Sequence, residues 1–196
     1  NINGDIMGTL FVDKLDPQSG TALEIGSSGD TITIPSGATI ANSGTATGFG
    51  GNNTPVFAVT LSGNQSISDV TVTKVTFDTE AIDSDGAFAS NKFTVPSGGA
   101  GKYWFSTGIG LDSGGVGSFV NATVYIYKNG GSVKQSYFHN DNASAYTTKY
   151  FVWNSAVLNL AVSDYIEIYA YMNESGGTGV LTGGATASSF YGYKLL

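Results

Sequence analysis

Apolar and polar side chains alternate along several stretches of this chain, and that alternation is the feature that most constrains its fold. β-branched and aromatic residues dominate three such stretches, residues 70–77, 122–127 and 165–171. A strand points successive side chains to opposite faces, whereas an amphipathic helix repeats its apolar residues about every 3.6 positions. Few segments carry the helical period over the length of a helix. The sequence therefore predicts an all-β protein.

The first part of the chain differs from the rest. Short apolar runs at 23–25, 31–34 and 38–40 are separated by turns rich in serine and glycine, and apolar pairs in the first two runs repeat at a spacing of nine. So few apolar residues cannot offset the entropy of ordering a thin segment as one chain. We therefore predict that residues 1–54 form a repetitive β-stalk in which three chains intertwine. The residues expected to be buried between the chains are Leu23, Ile25, Ile32 and Ile34.

A flexible linker of glycine and serine is the alternative for this segment. A linker, however, gives no reason to place isoleucines in alternating pairs. A glycine cluster at 48–51 and Pro55 mark the boundary to the following domain. In residues 55–196 the strands lengthen, the aromatic residues become denser, and turn signals such as Asp85-Gly86 and 129–131 separate the strands. This part is predicted to be a head built as a sandwich or jelly roll of roughly eight to ten strands.

Composition argues against several classes of function. The chain has no cysteine, which removes disulfides, thiolate metal sites and cysteine nucleophiles. Its net charge is −7 and its eight basic residues are all lysines, so arginine, the usual residue for bidentate phosphate contacts, is missing. No apolar run approaches the roughly 20 residues that span a bilayer. We expect neither nucleic-acid binding nor membrane insertion.

Residue groups suited to catalysis or metal binding are sparse. His139 is the single histidine; it is expected in a polar loop, without a spaced serine motif. The glutamates fall on different predicted segments, so sequence alone does not pair them for glycan hydrolysis. Asp83 and Asp85 imitate the start of an EF-hand loop, but the twelfth position holds no glutamate, which favours a solvated hairpin turn. We predict no enzyme activity and no cofactor, with calcium at Asp83 and Asp85 as a minor alternative.

Aromatic residues suggest surfaces rather than a reaction centre. Tyr103, Trp104 and Phe105 are consecutive, so one face of their strand is expected in the core and the other against a neighbouring subunit. Three tyrosine pairs share a face of a predicted strand: Tyr125 with Tyr127, Tyr169 with Tyr171, and Tyr191 with Tyr193. They fit either a trimer interface or a sugar-stacking platform, and the interface explains them more economically. The core and interface candidates of the head are Tyr103, Phe105 and Phe190.

A series of aromatic and glycine motifs follows a fixed order through the head. Its parts are Phe88 and Phe93 before Val95-Pro96, then Gly101, Tyr103 and Phe105, then Tyr127-Lys128-Asn129-Gly130, then Asp164-Tyr165-Ile166-Glu167-Ile168, and finally Ser189-Phe190-Tyr191-Gly192-Tyr193. In this order the motifs resemble the C1q and TNF-like jelly-roll superfamily over about 56–196. Ser163 departs from the pattern, because the family usually has glycine there. The resemblance implies a C1q/TNF-like jelly-roll sandwich.

Three motifs of the stalk, residues 8–13, 28–39 and 44–50, are similar to the shafts of virion fibre proteins from marine bacteriophages. In those proteins the shaft is followed by such a head. The resemblance implies a homotrimer attached to the virion, extracellular, with a distal head that contacts the host surface.

The leading functional hypothesis is a homotrimeric virion fibre or appendage protein that is structural and binds a host receptor or glycan. Long polar loops are the expected contact regions, and the candidate residues are Asp112, Tyr137, His139, Asp141, Tyr146 and Glu174. One alternative is a purely structural protein that decorates a capsid or builds a cellular extracellular filament. A glycan depolymerase is disfavoured because no carboxylates are grouped.

Overall fold

The computed structural model describes residues 15, 17, 19–44, 53–114, 118–140, 147–184 and 188–195. The chain divides into two compact units, residues 1–47 and 48–196. In the first unit the described residues form turns but neither strands nor helices. The short strands expected there are not formed by the single chain, because a strand requires a hydrogen-bonded neighbour. The predicted boundary at residue 54 stays a prediction.

The turns expected in the first unit are present. Gly26, Gly29 and Gly37 have φ angles of 82°, 96° and 86°, the left-handed region that glycine occupies without a steric penalty. The Ser27 N–H donates to Asp30 Oδ2 at 2.7 Å. Turns of this kind depend on local hydrogen bonds and not on distant partners, so the sequence alone was enough to predict the turns.

The second unit is all-β in the part of the chain that the structure describes. No described segment forms a helix long and apolar enough to cross a membrane. The strands are β1 Val56–Thr60, β2 Gln65–Ser66, β3 Thr73–Lys74, β4 Thr79–Asp83, β5 Phe88–Ala89, β6 Lys92–Thr94, β7 Gly101–Asp112, β8 Phe119–Lys128, β9 Gly131–His139, β10 Lys149–Leu160, β11 Tyr165–Glu174, β12 Val180–Leu181 and β13 Ser189–Lys194. Eight of these have five or more residues, in line with the predicted number.

The strands form two antiparallel sheets. In the first sheet β10 pairs with β7 along its whole length, and β13, β1 and β4 follow in order on the other side of β7. Past the end of β13, the short strand β12 pairs with the last residues of β7 on that same side, and β2 pairs with β12. In the second sheet the order is β5, β6, β11, β8 and β9, and β3 also pairs with β11. Strands β9 and β10 are therefore edge strands of the two sheets.

The inward faces of the two sheets meet in one aromatic core. The Phe57 ring lies 4.8 Å from that of Phe190, 5.0 Å from Phe93 and 6.3 Å from Phe105, measured between centroids. Gly192 on β13 makes room for this cluster, since a Cβ there would lie 2.6 Å from ring atoms of both Phe57 and Phe105. Close packing of large rings against this glycine fixes how β13 packs between β7 and β1 in the sheet.

The hairpin between β8 and β9 is tied to the turn before β11. Asn129 and Gly130 have φ angles of 51° and 81°, as a tight two-residue hairpin turn requires. Asn129 Nδ2 donates to Asp164 Oδ1 at 2.7 Å, and the Tyr165 N–H donates to Asn129 Oδ1 at 2.9 Å. Lys128 forms an ion pair with Asp164 at 2.8 Å. These contacts hold two turns at the same end of the sandwich.

One predicted strand was too long. The stretch 70–77 alternates like a full strand, yet only Thr73–Lys74 pairs with β11. Val70 instead adopts a left-handed backbone with φ 54°, and its N–H donates to the Met172 carbonyl. Alternation identifies a chain that can pair, but the partner strand decides how many residues do pair.

Candidate functional surfaces

The outer face of the first sheet is aromatic and uncharged along its middle. The register aligns Val56, Tyr193, Trp104 and Val157 in one row across four strands. Two further rows run in parallel, one through Ala58, Tyr191, Ser106 and Ser155, and one through Thr60, Ser189, Gly108 and Trp153. We call these three rows, together with Phe151 and Ile82, the apolar face.

Large side chains of the apolar face are exposed to solvent in the single chain. Trp153 is 58% exposed, Val157 60% and Ile82 50%. The Trp104 and Tyr193 rings contact each other, with centroids 5.4 Å apart. Extensive exposed apolar surface of this kind on a soluble protein marks an interaction site.

Glycines beneath the rings shape this face. A Cβ at Gly108 would lie 2.6 Å from the Phe151 ring and 2.7 Å from the Trp153 ring. The two rings on β10 therefore lie over the bare backbone of β7, in the way that aromatic residues cover glycines of a neighbouring strand. The result is an aromatic surface that covers the backbone of β7 at Gly108.

The outer face of the second sheet carries tyrosines instead. The residues of this tyrosine face are Tyr125, Tyr127, Tyr137, Tyr165, Tyr169 and Tyr171. The Tyr127 and Tyr169 rings are 4.3 Å apart between centroids, and Tyr125 packs edge-on against Tyr127. Tyr191 and Tyr193 lie on the opposite side of the sandwich, on the apolar face. The three tyrosine pairs predicted to act alike thus belong to two separate surfaces.

Charges in the tyrosine face are paired. Glu167 is 8% exposed and forms an ion pair with Lys74 at 2.7 Å. Burial raises the pKa of the Tyr169 hydroxyl, and the nearby Glu167 carboxylate raises it further. Lys92 Nζ lies 4.6 Å from the centre of the Tyr165 ring, a cation–π contact. The face therefore offers ring surfaces and neutral hydroxyls with little unpaired charge.

A cleft of about 340 Å³ opens between the two edge strands. It is lined by Lys134 and Ser136 of β9 and by Trp153 and Ser155 of β10. Asn154 Nδ2 crosses behind it and donates to the carbonyls of Val124 at 3.0 Å and Lys134 at 3.3 Å. This amide holds the edges of the two sheets at a fixed distance.

Solved structures with the same arrangement of strands have been found, although no protein-family model and no curated protein sequence matches the chain. The globular domain of zebrafish complement 1qA is 17% identical, with a TM-score of 0.52, and the match covers 72% of this chain and 98% of that one. Murine APRIL is 12% identical, with a TM-score of 0.53, over 71% and 98% of the two chains. The Eiger TNF of S. frugiperda is 12% identical, with a TM-score of 0.50, over 72% and 92%.

The fold is a C1q/TNF-like jelly roll. The prediction from the ordered head motifs is confirmed at the level of fold. Ser163, the departure from the family pattern, keeps the left-handed backbone that glycine would adopt, with φ 71°. The jelly roll therefore tolerates the serine without a change of the turn.

The three head residues predicted for the core or for a subunit interface all lie in the core. Tyr103 and Phe105 are 0% exposed and Phe190 is 1% exposed, so they support the sheets and do not reach a neighbouring subunit. Trp104, between the first two, faces outward as expected. The outward residues Trp153 and Val157 were not predicted, because residues 151–157 carry apolar side chains at both alternating sets of positions.

The predicted contact residues are scattered over the jelly roll. Tyr137, 70% exposed, and His139 belong to β9, so the expectation of a loop histidine is wrong: pairing with β8 continues to Asn121 and His139. Asp112 forms an ion pair with Lys149 at 2.9 Å. Glu174 is buried, 7% exposed, and does not present its carboxylate at the surface. Asp141 and Tyr146 lie outside the described residues.

The two acids suggested as a calcium site, Asp83 and Asp85, accept hydrogen bonds within the turn after β4. Asp83 accepts the Ala87 N–H at 2.9 Å and the Phe88 N–H at 3.0 Å, one with each oxygen. Asp85 accepts a hydrogen bond from the Ser84 hydroxyl. Both Asp83 oxygens thus have backbone donors, as in a hairpin turn. Among the described residues no group of three or more acidic or histidine side chains is placed to hold a metal.

Proposed function

We propose that this chain is the homotrimeric fibre or appendage protein of a bacteriophage virion, with a jelly-roll head that binds the host surface. The stalk motifs at 8–13, 28–39 and 44–50, which resemble phage fibre shafts, support the viral context. The head serves as a binding and structural domain at the virion surface. Catalysis is not part of the proposal.

The exposed apolar face is the main observation that supports the trimer. Trp153 and Val157 are more than half exposed in the single chain, and the three rows around them contain no charged residue. Transfer of such surface from water contributes about 25 cal/mol per Å². A closed ring of three chains covers the same patch on every copy and leaves no hydrophobic edge open to further association.

The first unit supports the same stoichiometry. Leu23 and Ile34 are 48% exposed, and Ile25 and Ile32 are 60% exposed. About half of each side chain is therefore in contact with water in the single chain. Winding three chains about one axis brings the isoleucine pairs together, which offsets the entropy cost of an ordered stalk.

Host contact is assigned to surfaces that the trimer leaves open. The tyrosine face lies on the opposite side of the sandwich from the apolar face, so assembly through the latter does not cover it. Rings such as Tyr127 and Tyr169, with the exposed Gln135 opposite the adjoining Tyr125, suit stacking and hydrogen bonding to the sugar rings of an envelope glycan. Three copies multiply a weak contact through effective concentration.

Light scattering tests the trimer. The full chain is expected to have three times the mass of one 20.2 kDa chain at micromolar concentration. Trp153→Glu with Val157→Lys places charges in the apolar face and is expected to give monomers with an unchanged circular dichroism spectrum. Val133→Lys is the matched control, because Val133 is 45% exposed on β9 of the other sheet. A monomeric native chain contradicts the proposal.

Two further experiments test the viral and host-binding parts. An antibody against the head is expected to label projections of virus particles in electron micrographs; labelling of cellular filaments contradicts the viral assignment. The purified protein is expected to bind host cells and reduce infection. Tyr127→Ala with Tyr169→Ala is expected to lower that binding at least tenfold while trimers persist. Full binding by this variant removes the tyrosine face from the proposal.

A further inference from the structure

A buried carboxylate lies at the end of β11. Glu174 lies on the same inward face of β11 as Met172, at the point where the pairing of β11 with β8 is interrupted by a bulge. Its N–H donates to Asp69 Oδ1 at 2.9 Å, which brings two acids together from positions 105 residues apart. Both line a cavity of about 370 Å³.

One oxygen of this pair has no hydrogen-bond donor. Glu174 Oε2 is fully buried and lacks a hydrogen-bond partner among the residues that the structure describes. None of the described ion pairs includes Asp69 or Glu174; their lysines lie against Glu167, Asp164 and Asp112. A buried, ionised carboxylate is unfavourable when one of its oxygens has neither a donor nor a cation.

The described residues around this pair add negative charge and no positive charge. Burial raises the pKa of Glu174, and the Asp69 and Asp112 carboxylates raise it further, against a lowering hydrogen bond from the Gly179 backbone. The Asp112 charge is already paired with Lys149. The pair Asp69 and Glu174 therefore remains as an uncompensated site of negative charge.

The remaining lining of the cavity supplies oxygen atoms. Ser66, Ser68 and Thr178 contribute hydroxyls. Gly177 has no side chain in the way: a Cβ there would lie 2.7 Å from Glu174 Oε2 and would also collide with the Ser113 carbonyl oxygen. The carboxylate and that carbonyl thus approach the same small volume. Neither histidine nor cysteine lines the cavity, and oxygen ligands without nitrogen or sulfur favour calcium over transition metals.

We propose that Asp69 and Glu174 form a calcium site, completed by hydroxyl and carbonyl oxygens of the adjoining loops and by water. Bound calcium supplies the positive charge that the buried oxygen lacks. It links the segment 66–69, the end of β11 and the loop 177–179 at one end of the jelly roll. The site is distinct from Asp83 and Asp85, whose carboxylates are engaged by their own turn.

Calorimetric titration of the chelator-treated full chain with calcium chloride tests the site. Saturable binding of one ion per chain is expected, with a Kd on the order of 10⁻⁴ M, as in extracellular calcium modules. At a hundredfold excess over Kd, the unfolding temperature is expected to rise by about 5–10 °C. Magnesium, which demands a stricter octahedral geometry, is expected to bind more weakly.

Three substitutions separate the site from other acids. Glu174→Gln and Asp69→Asn are each expected to weaken calcium binding at least tenfold; Asp69→Asn keeps the Oδ1 acceptor for the Glu174 N–H. Asp85→Asn is the matched control and is expected to bind like the native chain. Absence of calcium binding by the native chain, or native affinity in both site variants, overturns the proposal. A native chain that is stabilised by mild acid but not by calcium also overturns it, because a proton then compensates Glu174.

Discussion

Ser163 and Asn129 both hold a left-handed backbone, at two turns that are joined by hydrogen bonds. Asn129 has φ 51° and uses its side chain to bind Asp164 and Tyr165. Ser163 has φ 71°, and its N–H donates to the Val95 carbonyl at 3.0 Å. Asparagine is among the residues that tolerate this region, whereas serine gains little in return for the steric cost.

Ser163→Gly is therefore expected to stabilise the protein. Glycine removes a strain of about 1–2 kcal/mol but loses part of that gain to the entropy of the unfolded chain. The expected net effect is an increase of roughly 0.5–1 kcal/mol in the free energy of unfolding, measured by urea denaturation. Ser163→Ala keeps the strain and is expected to give no increase. A lower stability of the glycine variant contradicts this account.

Asp164 makes stability depend on pH in the acid range. Hydrogen bonds from Lys128, Asn129 and the Ala161 backbone lower the pKa of Asp164 from 3.8 to about 2. Because the folded state holds the proton less tightly than the unfolded state, this stabilisation is present above pH 3.8 and is lost as the pH falls toward 2.

The measurement compares the native chain with Asp164→Asn. The native chain is expected to unfold at the higher temperature at pH 6, and the difference is expected to shrink between pH 4 and pH 2, as this carboxyl becomes protonated. Thermal melts followed by circular dichroism give both values. A difference that is constant over this pH range means that the Asp164 charge does not contribute.

At the scale of elements, β13 and β7 fit together through a missing side chain. Gly192 lies opposite Phe105 in the register and beneath the rings of Phe57 and Phe105. The residues paired with Gly192 on the two neighbouring strands are large: Phe57 on β1 and Phe105 on β7. The glycine is thus a packing requirement of the sheet and not a turn signal.

Gly192→Ala is expected to destabilise the protein by about 1–3 kcal/mol, because overpacking a dense core displaces neighbouring rings. The free energy of unfolding in urea measures this. Gly63→Ala is the matched control, since a Cβ at Gly63 meets no atom within 4 Å. It is expected to change stability by less than about 0.5 kcal/mol. An equal effect of both substitutions rules out ring packing as the cause.

The whole molecule carries two sets of apolar residues that the single chain leaves uncovered. One is the apolar face of the head, with Trp153 and Val157. The other is the apolar group of the first unit: Leu23, Ile25, Ile32 and Ile34. Their exposure distinguishes them from the core, which is complete within one chain. Association of chains is the common explanation that we propose, and the two sets can be tested separately.

Ile32→Asn with Ile34→Asn tests the first unit. In a single chain both side chains are about half exposed, so little stability depends on them. In a three-stranded stalk each is buried and contributes about 1–2 kcal/mol per chain. The variant is expected to dissociate at concentrations at which the native trimer persists, measured by sedimentation. Thr33→Asn, an exposed polar neighbour, is the control, and equal behaviour of the two variants contradicts an intertwined stalk.

Local signals and distant pairings contributed differently to what could be predicted. Alternation at 122–127 and 165–171 and the turn at Asn129-Gly130 predicted real strands and a real hairpin, because both signals depend on neighbouring residues alone. The strand predicted over 70–77 was too long for the same reason. Its alternation is a local property, but the length of a strand depends on its partner.

By itself the sequence determined the all-β class, the turn positions and the ordered motifs of a jelly roll, since φ preferences and side-chain alternation are properties of short segments. Only the tertiary structure decided which side of each sheet meets the core. It separated Tyr125 and Tyr169 from Tyr191, left Trp153 exposed, and buried Glu174 beside Asp69. Register and sheet order bring together residues that are far apart in the chain, and no local pattern encodes that distance.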